Sequence, residues 1–392
     1  MKTSTKHHWG WPLGFIIFNI CRLVPCRDKK LWVYGAWAGD KYDDNSKYFF
    51  EYVNAFHRNS VRSVWITNSP KTVETIRNKG YECYLSNSRQ GLWLQIRAGV
   101  ACYTNGLHDF GITPLLGGAE IVALWHGMGF KKIYNGKYRG YKLLLKKFLD
   151  RLFSWTYRNI TPVTSKYAKK WVEEMFTLDK NKIFITGQPR NDAFKHVNRT
   201  DFFTKNGIAT AKKLVLYMPT YRKPNLGSNA MQNIVKELYE SKELSTYLDK
   251  TNSVFVAKLH PLTPHMDIEN RDDFIILDNI NTESTQELLG VADLLVTDYS
   301  SCFIDFALLE RPIVFYVPDE EIFLTQSEKV EEEFFEIEKI CMASTPSELS
   351  EKLLSAEKEV AKITNSIFED NSIKGTCYSE NVYNVVAKEI GI

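Results

Sequence analysis

No two of the seven cysteines in this 392-residue chain stand at CxxC spacing. An odd, scattered set argues against a disulfide framework and against a thiolate zinc site, and it fits a reducing compartment. No apolar run reaches the roughly 20 residues that a membrane-crossing helix needs. The longest candidate, Trp9 to Pro25, is interrupted by prolines. It is followed by the basic patch Arg27 to Lys30 rather than by a small-residue cleavage site, so it is not a clean secretory signal. Three readings stand for residues 1–30: a short anchor at the membrane interface, an uncleaved signal-like helix, or a helix packed on the first domain. The tryptophans favour the interface. Excess charge of one sign is also missing. Fifty Lys and Arg against 47 Asp and Glu leave +3, too little to argue for nucleic acid. There is no short-period repeat, no low-complexity stretch, no Walker lysine loop and no nucleophile-elbow serine. The nearest approach to a carboxylate pair is Asp43-Asp44, adjacent in a loop, and no His/Cys cluster has ligand spacing. No metal site is therefore expected.

What the chain does have is an α/β rhythm. Its length predicts two domains, and an apolar content of 44% with 25% charged residues is that of an ordinary globular protein. Short apolar runs at 31–35, 63–67, 81–85, 99–104, 120–124, 160–164 and 182–186 read as strands alternating mostly with helices, the pattern of a doubly wound sheet. A second series follows at Leu214, Val254 to Leu259, Phe274 to Leu277, Leu294 to Thr297 and Ile313 to Val317. The domains read as 31–195 and 213–365, with a C-terminal segment, 366–392, of helical character that packs back on the first. The acidic run Glu331 to Glu338 reads as a solvated face.

The stretch Ala292 to Asp319, ADLLVTDYSSCFIDFALLERPIVFYVPD, organises the rest. It reads as strand, tight turn, helix and strand, with Arg311-Pro312 ending the helix. In a parallel sheet the turn after a strand's carboxyl end is where ligands bind. Ser300 and Ser301 open a helix there, and free amides at a helix start favour a phosphate. The plainer reading is that Asp298 and the serines only cap the helix. His126 also follows a buried strand, and Gly127 after it permits a tight turn and close backbone approach. Histidine is the natural general base near neutral pH.

Six segments in order, WHGMGFKK, GQPRND, MPTYR, KLHP, VTDYSSCFIDF and RPIVFY, each at or after a predicted strand, resemble the CDP-glycerol glycerophosphotransferase family, which builds teichoic acids and related capsule polymers. The resemblance implies a GT-B fold, two Rossmann-like domains facing across a cleft, with the nucleotide held mainly by the second. It also implies transfer of glycerol phosphate or ribitol phosphate from a CDP-polyol to a hydroxyl of a lipid-linked or glycan acceptor, releasing CMP, with no cofactor. The location implied is the cytoplasmic face of the bacterial membrane, as a peripheral protein. His126 and His260 are implied as catalytic, His260 lying across the cleft as a pyrophosphate contact. Gly127, Arg190, Thr220, Arg222, Lys258, Pro261, Thr297, Asp298, Ser300 and Ser301 are implied to bind the CDP-polyol. Such cationic groups and donors stabilise charge on a transferring phosphoryl group. The loop AWAGDKYDDNSKY resembles the family's acceptor-side loop, which puts Asp44, Asn45 and Lys47 at the acceptor, together with Lys131 and Lys132. Tyr141 to Phe153 is basic and amphipathic, and two readings remain: a face for anionic headgroups or a polyanionic acceptor, or a packed helix with a solvated basic side. A nucleotide-sugar glycosyltransferase and a catalytically silent polymer-binding protein are the competing functions.

Overall fold

The structure is a computed structural model. It describes residues 14, 16–25, 27–111, 115–127, 129–133, 137–153, 158–176, 178–222, 229–260, 262–277, 284–326, 330, 332–368, 373 and 375–392. The chain forms two compact units. The first comprises residues up to 128, 133–192 and 372–392; the second comprises 129–132 and 193–371.

In the first unit the strands are β1 (Asp28–Gly35), β2 (Arg62–Thr67), β3 (Cys83–Leu85), β4 (Ala98–Tyr103), β5 (Glu120–Ala123), β6 (Thr161–Val163) and β7 (Ile183–Ile185). The order is β3-β2-β1-β4-β5, with β6-β7 joined through a parallel bridge between Val122 and Ile160. Every paired strand is parallel. Residues 31–35 of β1 and 63–67 of β2 are buried throughout, which is why these strands read as continuous apolar runs instead of alternating ones.

Helices cover both faces. On one lie α1 (Asp44–Phe56) and the C-terminal helix, whose Phe49, Phe50, Val53, Val382, Val386 and Ile390 pack with Trp32, Tyr34 and Trp65. On the other, Leu94 and Phe18 pack with Val33, Ile66 and Tyr103. The expected anchor is thus partly accounted for: Phe18 and Cys21 are buried in the first unit, while Ile16, Ile20 and Leu23 are exposed. Residues 1–13 lie outside the described set. Among the described residues no helix is long and apolar enough to cross a membrane. Two further helices matter for the site, α2 (Gly140–Phe153) and α3 (Lys166–Phe176).

The second unit holds β8 (Lys213–Met218), β9 (Ser253–Ala257), β10 (Phe274–Ile276), β11 (Leu294–Thr297), β12 (Ile313–Tyr316) and β13 (Met342–Ala343) in the order β10-β9-β8-β11-β12-β13. Both sheets reverse their strand order between the first and fourth strands of the unit, β1/β4 and β8/β11. Loops leaving those strands diverge and open a crevice at the carboxyl edge. Two expectations need correction. The helix after β11, α4, runs only from Cys302 to Ala307, and the chain turns at Leu308–Glu310, where Glu310 has φ 51°, before Arg311-Pro312 is reached. Glu338 is not part of a solvated face but fully buried, with Phe334 and Ile337 also inside. The two-residue β13 is too short to leave a periodic signal.

Candidate active site

In the first unit β5 ends at Ala123, and the chain then makes a strained turn. Trp125 has φ 61° and Gly127 φ 131°. The first is unusual for a bulky aromatic residue, and the second is readily adopted only by glycine. His126 sits between them. The turn is held by groups from distant segments. Asn45, fully buried near the start of α1, donates Nδ2 to the Trp125 carbonyl at 2.8 Å. The Asn45 Oδ1 accepts the Arg190 amide at 3.0 Å. The Arg190 Nη1 donates to the His126 carbonyl at 2.9 Å and to Asp44 Oδ1 at 3.1 Å. Asp44 itself has φ 62°, and its Oδ1 accepts the amide of Asn45. Three motifs distant in sequence, DNSK, WHG and GQPRND, thus converge on one turn.

The imidazole packs against Trp125 and Trp37, at ring-centroid distances of 4.3 and 6.1 Å. Its Nδ1 is buried and has no hydrogen-bond partner. Burial first, then the charges of Arg190 and Arg158, push the His126 pKa down to about 4, against a hydrogen bond to the Thr104 backbone that favours the protonated form. The ring is therefore neutral at pH 7 and presents a lone pair, the form a general base needs. The buried Arg158 guanidinium lies over Phe176 at 4.0 Å and Trp125 at 5.0 Å. Burial raises the Asp44 pKa to about 6 despite the opposing charge of Arg190.

The β1/β4 crevice is ordered by Asp109, which sequence reading did not single out. Its carboxylate accepts the amides of Ala38 at 2.7 Å, Thr104 at 3.0 Å and Asn105 at 2.7 Å. Those bonds hold Trp37, Ala38 and Gly39, three successive residues with positive φ. An aspartate six residues past the end of β4, in NGLHDF, was the available signal.

In the second unit, the β8/β11 crevice is laced by buried ion pairs. The Asp298 carboxylate accepts the Thr220 amide and Arg222 Nη1, both at 2.7 Å. The other edge of Arg222 meets Asp319, with Nε at 2.7 Å and Nη2 at 2.8 Å. Arg222 is 5% exposed, and all three of its nitrogens are engaged within the protein. It therefore acts as a strut between three loops, where sequence reading had expected a phosphate contact. Thr297 likewise ties β11 to β8 through a 2.7 Å bond to the Met218 carbonyl. Arg190 likewise braces the WHG turn through its bonds to the His126 carbonyl and to Asp44.

Asp298 orders the turn but does not cap α4. Ser301 occupies the N-cap position with no side-chain cap bond. Ser300 and Ser301 are half-buried, so the capping reading is not realised, although a six-residue helix contributes little dipole. His260 is exposed just beyond β9. Its Nδ1 accepts the Leu262 amide at 3.1 Å, and its ring lies 5.1 Å from that of Tyr221. Lys258 is half-buried; Pro261 lies outside the described residues.

The expected acceptor lysines divide. The ammonium of Lys47 lies over the Tyr48 and Tyr42 rings at 4.7 and 6.0 Å. Lys131 and Lys132 belong to the second unit, not to the unit of His126. Phe130 beside them stacks on Phe334 at 4.2 Å, and Lys131 bridges to Val330. Among the described residues no three His, Cys, Asp or Glu side chains converge to hold a metal ion.

Comparison with known proteins follows the same lines. The chain is 27% identical over 322 residues to a teichoic acid poly(glycerol phosphate) polymerase of Bacillus spizizenii, covering 79% of this chain and 78% of that one. It is 32% identical over 220 residues to a teichoic acid ribitol-phosphate primase of the same organism, covering 52% and 53%. The solved wall teichoic acid polymerase TagF superposes with a TM-score of 0.71 over 98% of this chain and 96% of that chain, at 20% identity, a likeness of fold. With two Rossmann-type units, the architecture is of the GT-B kind. The sequence profile described as CDP-Glycerol:Poly(glycerophosphate) glycerophosphotransferase matches residues 16–387, so the chain belongs to that family.

Proposed function

We propose that this chain transfers a glycerol phosphate or ribitol phosphate unit from its CDP-activated form to a hydroxyl of a lipid-linked or glycan acceptor. The acceptor oxygen attacks the phosphorus that carries the polyol, and a new P–O bond forms. The bond from that phosphorus to the bridging oxygen breaks, and CMP leaves with the electron pair. The hydroxyl proton passes to the His126 imidazole. The step involves no change of oxidation state and no cofactor. The observation that carries this reading is the His126 imidazole beside a cavity, on a turn pinned by Asn45 and Arg190.

The β8/β11 crevice is assigned to the CDP moiety. Ser300 and Ser301 would donate to the pyrophosphate, His260 and Lys258 would neutralise it, and Arg222, Asp298 and Thr297 would keep the loops in register. Association with the cytoplasmic membrane face is assigned to α2. It exposes Tyr141, Leu144, Leu145 and Phe148, between 55% and 74%, beside Lys142, Lys146 and Lys147. Such a surface suits an anionic bilayer.

The test is His126→Ala with CDP-glycerol and CDP-ribitol as donors, products being identified by mass spectrometry. Transfer should fall by about 100-fold or more, the usual worth of a general base, while donor affinity stays near wild type. Near-normal turnover by the folded variant would remove His126 from the mechanism. Transfer from UDP-sugars in place of CDP-polyols would overturn the assignment of the reaction.

A further inference from the structure

Just past the candidate base the chain changes units. His126 and Gly127 belong to the first, Gly129 to Lys132 belong to the second, and Ile133 returns to the first. So short an excursion is ordinarily a solvated loop. Here it carries a phenylalanine only 2% exposed. The Phe130 ring stacks on Phe334 at 4.2 Å, with 11° between the planes, and lies 5.4 Å from Phe303. Lys131 adds the antiparallel bridge to Val330. Phe303 stands in the first turn of α4, two positions past Ser301, and the Phe334 ring lies 6.0 Å from that of Tyr299. The cluster that receives Phe130 thus flanks Tyr299 to Phe303, the turn to which the pyrophosphate is assigned.

Phe130 follows His126 by four positions, so their Cα atoms stand at most about 14 Å apart. The segment is held at both ends. Upstream, Asn45 and Arg190 bind the carbonyls of Trp125 and His126 at 2.8 and 2.9 Å. Downstream, the holding group is the Phe130 ring. Gly127 and Gly129 between them bring no side chain that could fix the segment by its own packing. We propose that Phe130 is a positioning residue, whose ring, seated against Phe334 and Phe303, keeps the His126 turn on a short tether to the donor-binding turn. The inference rests on the transfer reaction proposed above and adds how the base is kept in step with the donor. A misplacement of about 1 Å can cost about 100-fold in rate. The length of the tether therefore sets turnover together with the imidazole it carries.

The test lengthens the tether without touching a packed atom, by inserting Gly-Gly between Gly129 and Phe130 in the full chain. With CDP-glycerol as donor, kcat should fall by about 100-fold, while KM for the donor and the thermal unfolding of both units stay at wild-type values. The same two glycines inserted between Asn206 and Gly207, at an exposed turn of the second unit, should leave kcat in place. Phe130→Ala should also lose kcat, and Phe130→Met, which keeps a large apolar anchor, should regain most of it. A separate readout needs neither donor nor turnover. Hydrogen exchange of the ligand-free chain should show Trp125, His126 and Gly127 losing protection in the tether insertion, while β5 and α4 keep theirs. Wild-type kcat in the tether insertion would overturn the proposal, as would undiminished protection of those three amides. If the amides lose protection as expected but wild type moves no polyol phosphate, the anchor stands and the assigned reaction falls.

Discussion

His126 shows how a single residue is tuned by its neighbours. A partly exposed histidine would titrate near 6.5, and this one is held neutral down to about pH 4 by burial and two guanidinium groups. That has a consequence for stability. In the unfolded chain the ring takes up a proton below pH 6.5, and in the folded chain it does not until about pH 4. The unfolded state thus binds more protons across that window, and stability falls as pH drops through it. Asp44 acts with the opposite sign between its ordinary carboxylate range and about pH 6, since its folded pKa is raised. A comparison of wild type with His126→Asn isolates the histidine contribution. The variant should lose on the order of 3 kcal/mol less than wild type between pH 6.5 and pH 4, measured by urea unfolding. Parallel curves for the two proteins would mean that the ring is solvated and ordinary.

At the scale of elements, the loops after β8, β11 and β12 are bound into one body by Arg222. Asp298 is fully buried, and Asp319 is largely so. Burying three charges is tolerable only while they pair, because removing one partner strands the others in a medium that solvates them poorly. Arg222→Met should destabilise the second unit by about 3–5 kcal/mol, and Arg222→Met/Asp298→Asn should recover part of that. Thermal unfolding followed by hydrogen exchange in β8 and β11 measures it. A loss below about 1 kcal/mol would show a solvated surface pair instead. Glu338 is a further buried acid of the same unit. Burial raises its pKa to about 8, and neither of its oxygens has a hydrogen-bond partner.

At the scale of the molecule, the chain leaves the first unit at Asp192 and returns to it after residue 371. The C-terminal helix, α5 (Tyr378–Ile390), completes the first core. Val382 and Val386 are fully buried there, and the Tyr383 ring stacks on His57 at 3.5 Å. Asp192 accepts the amides of Tyr378 and Ser379, both at 2.8 Å. Each large aliphatic side chain so buried contributes about 1.5–3 kcal/mol, so truncation after Cys377 should unfold the first unit. The second unit, with a sheet and core of its own, should keep a separate cooperative transition. Hydrogen exchange should then show β1 and β2 losing protection while β8, β9 and β11 retain it. Undiminished protection in β1 would show that the helix is dispensable.

The sequence by itself determined the strands and therefore the places where chemistry occurs. A parallel strand is buried on both faces, so it is written as an unbroken apolar run, and the polar residues just past it mark the carboxyl edge of the sheet. His126, Asp298 and the serines were found in that way, while Thr220 and His260 came from the resemblance to the family. Only the tertiary structure decided which of those polar groups face a ligand and which face each other. Arg222 and Asp298 are 76 positions apart, and Arg190 and Asp44 are 146 apart. No local pattern records such a pairing, because it depends on which loops the strand order brings side by side. The same holds for Lys131 and Lys132, which follow WHG in sequence yet belong to the second unit, where Phe130 inserts into its aromatic core. A buried charge and a solvated one look alike along the chain; the neighbours that separate them are supplied by the fold.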